Sequence, residues 1–119
     1  MRKTLTTLAV VAGLASAGQA AAHARLITGS PKAGESVAAP KELKLHYSES
    51  IEPGASHVSV TGANGAAVAT GPLSLDAKDK RFVHIPFTAP PPHGAYKVKW
   101  HMKTEDGHET DGDFGFTVK

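Results

Sequence analysis

Between Ala95 and Lys103 the chain reads AYKVKWHMK, with an apolar residue at every second position from Tyr96 on. Successive side chains of an extended strand point to opposite faces, so Tyr96, Val98, Trp100 and Met102 share one face. Lys97, Lys99, His101 and Lys103 share the other. A helix would scatter the four apolar residues around its circumference, so the segment commits this part of the chain to a half-buried strand.

The same period recurs along the sequence. In KELKLHYSES, Leu43, Leu45 and Tyr47 alternate with Lys44, His46 and Ser48. HVSVTG sets Val58 and Val60 together, and GANG after it is a turn signal. In RFVHIPF, Val83, Ile85 and Phe87 share a face, and Pro86, which lacks an N–H, has to sit on an edge or at a bulge. DFGFTVK turns Phe114, Phe116 and Val118 inward. SPKAGE, APPPHGA and KTEDGHETDGD are rich in turn formers, and no segment has a convincing helical period. The expectation is an all-β domain, an immunoglobulin-like Greek-key β-sandwich or small barrel of about seven strands. Such a fold hosts many functions, so function has to be argued from a site.

The first residues read differently. Arg2 and Lys3 precede LTTLAVVAGLA, an apolar run of the length of a secretory h-region and too short to span a bilayer as a helix. Ala20-Ala21-Ala22 fits the small-residue cleavage rule, so residues 1–22 are expected to be a signal peptide removed after Ala22. Residues 23–119 then form one small exported domain without a membrane anchor. The chain carries 13 Lys and Arg against 11 Asp and Glu. Loss of Arg2 and Lys3 brings the two into balance, and no nucleic-acid footprint remains. Cysteine is absent, which excludes disulfide stapling and any thiolate metal site.

Seven histidines make that residue type the place to look for chemistry. His46, His84 and His101 fall at outward or ambiguous strand positions, His57 begins a strand and His93 lies in a proline-rich turn. All five read as surface residues. His23 differs, because cleavage after Ala22 gives it a free α-amine beside its imidazole, two nitrogens that can close a chelate ring on one metal. The amine has a reference pKa near 8, so a metal displaces its proton at little cost at neutral pH. In EDGHETDGD, Asp106 and His108 stand two residues apart, and in extended backbone they would project to the same side. Taken alone, the stretch also reads as an acidic, glycine-containing hairpin loop with a lone histidine.

Taken together, HARL at the expected mature start, SPKAGESV, LHYSESIEP, GAYKVKWHM, EDGH and GDFGFTVK resemble the CopC-type periplasmic copper-binding proteins of bacterial copper resistance. The resemblance implies a periplasmic monomer that holds one Cu(II) per chain. It implies His23, Asp106 and His108 as ligands, with Glu49 orienting the N-terminal amine. An inner-membrane copper transporter is the implied partner. The donor chemistry agrees, since three nitrogens and a carboxylate oxygen suit tetragonal Cu(II), although zinc fits the ligand types too. Many members also carry a methionine-rich Cu(I) site, whereas Met102 is the sole methionine past Met1 and lies on a core face. Two other readings compete. A copper-dependent oxidase or polysaccharide monooxygenase would call for an aromatic substrate face that one Trp, two Tyr and four Phe do not supply. A metal-free exported interaction domain would retain no copper.

Overall fold

The computed structural model describes residues 24–119. Eight strands make two four-stranded sheets packed face to face: β1 (Leu26–Ser30), β2 (Ser36–Val37), β3 (Glu42–Tyr47), β4 (His57–Gly62), β5 (Ser74–Leu75), β6 (Phe82–Pro86), β7 (Gly94–Lys103) and β8 (Glu109–Val118). One sheet has the order β1-β3-β6-β5 and the other β2-β8-β7-β4. Every pairing is antiparallel except β2 with β8. The expected all-β sandwich is present, with eight strands in place of about seven.

The alternation in the sequence becomes the core. Leu43, Leu45, Tyr47, Val83 and Ile85 from one sheet face Val60, Tyr96, Val98, Trp100, Met102, Phe114, Phe116 and Val118 from the other, all buried. Full burial of a large apolar side chain is worth about 1.5–3 kcal/mol, so the two facing rows supply the main cohesion between the sheets. Tyr47 stands edge-on to Trp100 with ring centroids 5.2 Å apart. Burial pushes the Tyr47 hydroxyl well above its ordinary pKa, so it stays neutral.

Three places depart from the simple alternation. The register of β1 shifts between Leu26 and Thr28, which leaves Ile27 exposed and hides the strand from a period-two reading. Pro86 closes β6, an interior strand, where it pairs with Glu42 of β3. Its carbonyl accepts from the Gly71 N–H on the opposite side, beyond the two residues of β5, so its missing N–H takes no ladder partner away. Finally, the polar stretch 103–113 is not all loop. Glu109 to Asp113 extend β8 and pair with Lys103 to Lys99, leaving a short turn at 104–108.

Trp100 pairs directly with Gly112. A Cβ on Gly112 would lie 2.2 Å from Trp100 Cζ2, so the absence of a side chain there is what seats the indole. Gly112→Ala should therefore destabilise the domain by about 1–3 kcal/mol, the usual cost of overpacking. Chemical denaturation should show a lower midpoint at unchanged slope, and an unchanged midpoint would refute this account of the indole seat.

Candidate metal centre

Asp106 and His108 sit in the β7–β8 turn, which folds locally for identifiable reasons. The Thr104 N–H donates to the His108 carbonyl at 2.8 Å and the Gly107 N–H to the Thr104 carbonyl at 2.9 Å. Gly107 has φ +94°, a conformation most side chains resist, so glycine between the two candidate ligands permits the turn. The two side chains meet through this turn and not through extended i, i+2 geometry. Asp106 Oδ1 lies 3.2 Å from His108 Nδ1. Two donors each about 2.0–2.1 Å from one metal and at right angles to it stand about 2.9 Å apart, so this separation is close to that of neighbouring ligands in a tetragonal site.

Sequence reading passed over Thr104. It is buried, its hydroxyl donates to Asp106 Oδ1, and Thr104 Oγ1 in turn accepts the His108 N–H at 3.1 Å. This hydroxyl is the first cause holding the Asp106 carboxyl below its ordinary pKa, and the charge of His108 adds to it. The signal in the sequence was a threonine two positions before the aspartate at a strand end, a side chain able to bond the turn it opens.

Glu49 arrives from the other sheet. The segment after β3 is pinned to the end of β7: Glu52 N–H donates to the Lys103 carbonyl at 2.8 Å, Glu105 N–H to the Ser50 carbonyl at 3.1 Å, and Ile51 bridges Thr104. As a result Glu49, Ser50, Thr104, Glu105 and Asp106 line one hollow of about 240 Å³. Beside Glu49, Ser48 Oγ accepts the Arg25 N–H at 2.9 Å, and the Ser48 N–H returns a bond to the Arg25 carbonyl at 2.9 Å. Ala24 is buried at 2% exposure, so the chain enters the fold at this same end. His23 lies outside the described residues. Among the described residues no group of three His, Asp or Glu side chains is arranged to hold a metal ion.

Four of the five histidines read as surface residues make side-chain contacts. His84 contacts Glu42 Oε1 at 3.1 Å and Asp76 Oδ1 at 3.2 Å, and His46 stacks on Phe82 with centroids 4.1 Å apart. His101 Nδ1 contacts Asp111 Oδ1 at 2.6 Å and its Nε2 contacts Glu109 Oε1 at 2.8 Å, while its ring stacks on His57. The bonds to Asp111 and then Glu109 raise the His101 pKa. A raised folded-state pKa stabilises fully below the unfolded value near 6.5 and is lost as pH rises through the folded value. The Tm advantage of the native protein over His101→Gln should thus be greatest below about pH 6.5 and fade as pH rises above it. A pH-independent difference would contradict this pairing.

Comparison with known proteins follows the same lines. A family model, the CopC domain, matches residues 26–119. Protein YobA of Escherichia coli (strain K12) is 35% identical over 99 residues, 82% of this chain and 80% of its own. Copper resistance protein C of Escherichia coli is 32% identical over 127 residues, covering 100% of this chain and 98% of that one. The crystal structure of CopC from Methylosinus trichosporium OB3b superposes with a TM-score of 0.75 at 32% identity, over 82% of this chain and 94% of the other. A β-sandwich whose Asp106–Gly107–His108 turn is locked to the end of the opposite sheet, matched across the whole described domain, belongs to the CopC family.

Proposed function

We propose that the exported protein binds one Cu(II) in the periplasm through the amine and imidazole of His23, the Asp106 carboxylate and the His108 imidazole, as a non-enzymatic copper carrier. The 3.2 Å approach of Asp106 and His108 carries this reading, since it brings two potential donors together on one hydrogen-bonded turn. Removal of residues 1–22 supplies the other two donors. Ala24 is buried at the end of the fold where Arg25 bonds Ser48, beside the Glu49 segment and this turn, which supports a terminus at His23 as the source of those donors. Glu49 there accepts from the terminal amine and orients it. Kinship with a copper resistance protein C supports copper over zinc, as does the divalent affinity order, which peaks at copper. The carrier acts as a buffer or as a donor to an inner-membrane transporter.

Asp106→Asn and His108→Asn should each lower Cu(II) affinity by well over the roughly 10–100-fold loss typical of outer-shell partners. Glu49→Gln should fall within that range. Competition titration with a chelator measures all three. Wild-type affinity in Asp106→Asn or His108→Asn would overturn the proposed ligand set.

A further inference from the structure

We infer that Thr104 is the positioning residue of the copper site, the side chain that holds Asp106 and His108 at ligand spacing before metal arrives. The inference rests on the copper reading above and adds a residue to it. Thr104 is 2% exposed, yet its side chain is polar, and its hydroxyl is engaged on both sides. It donates its one proton to Asp106 Oδ1, the oxygen facing His108, and it accepts the backbone N–H of His108 at 3.1 Å. One oxygen is therefore bonded to both members of the ligand pair. The Thr104 backbone adds a third tie through its N–H to the His108 carbonyl.

The hydroxyl is itself anchored from behind. Thr104 forms the backbone bridge to Ile51, a fully buried residue of the segment that carries Glu49, so its position is set by the opposite sheet as well as by the turn. The neighbouring Lys103 N–H is fixed by Ser56 Oγ at 2.9 Å. A side chain placed in this way and bonded to both ligands lowers the ordering cost of metal capture, because the carboxylate does not have to be drawn from solvent-facing rotamers. Removing the hydroxyl leaves the Asp106 side chain held by His108 alone and takes from the His108 N–H its Thr104 acceptor.

The test compares Thr104→Val with Thr104→Ser, both as full mature domains beginning at His23, by competition titration with Cu(II) and by EPR of the bound ion. Thr104→Val should weaken Cu(II) binding by about 10–100-fold and change the copper hyperfine pattern, as loss of an outer-shell partner does. Thr104→Ser, which keeps the hydroxyl and drops a methyl, should bind within a few-fold of wild type with an unchanged spectrum. Wild-type binding by Thr104→Val, or equal losses in both variants, would overturn the inference and leave Thr104 as a packing residue. Should Thr104→Val fail to fold, Thr104→Ser against Thr104→Ala isolates the same hydroxyl and is read by the same criterion. Asp106→Asn run alongside separates the two levels. Undiminished Cu(II) binding in that variant defeats the site itself, whereas a loss there with no loss on removing the Thr104 hydroxyl defeats the positioning role alone.

Discussion

The bridge between Ile51 and Thr104 is the contact on which the end of the molecule bearing the candidate site depends. Each residue lies just past the end of a strand in a different sheet, and both are buried. The flanking bonds from Glu52 to Lys103 and from Glu105 to Ser50 extend that bridge into a short ladder across the mouth of the sandwich. A face-to-face sandwich would otherwise leave the loops of its two sheets free to move apart. The ladder instead fixes the segment bearing Glu49 against the turn bearing Asp106 and His108. The reciprocal bonds of Arg25 and Ser48 bring the start of the domain to the same place.

This arrangement also bears on which histidines are available. His84 and His101 have both ring nitrogens within hydrogen-bonding distance of carboxylates, and His46 has a buried Nε2 with its ring against Phe82. A metal would have to displace those contacts before using the rings. His108 also contacts a carboxylate, Asp106 Oδ1 at 3.2 Å, but it does so in an exposed turn where both partners are candidate ligands, so a metal would exchange that contact for bonds to the two of them.

Much of the fold was legible because its strands are long and half-buried. Tyr96 to Met102 and Phe114 to Val118 carry the period-two signal without interruption, and every inward residue named from it is buried. The signal failed where its physical basis does. Strands β2 and β5 have two residues each, too few to show a period, and β1 carries a bulge that puts Leu26 and Ile27 out of phase. Glu109 to Asp113 looked like loop because most of their side chains are polar, yet their backbone is bonded to β7 and the Glu109 and Asp111 carboxylates contact His101 of that strand. At the candidate site the pairing of Asp106 with His108 was readable from spacing, though the positive φ of Gly107 and not an extended backbone brings them together. Thr104 was legible only as a threonine able to bond the turn it opens; its tie to the opposite sheet comes from the Ile51 bridge, a contact between segments far apart in sequence.

On the proposed reading, removal of residues 1–22 creates a chelating terminus next to the Asp106–His108 pair. The most direct measurement is the Cu(II) affinity and EPR spectrum of the domain beginning at His23, set against the same domain with one glycine ahead of His23. That residue converts the amine into an ordinary amide nitrogen and moves the free amine away, while leaving the fold and every other donor intact. The account predicts tight binding of one Cu(II) with a nitrogen-rich tetragonal spectrum for the native terminus, and a large loss of affinity with a changed spectrum for the extended one. Equal affinity and identical spectra in the two proteins would contradict it.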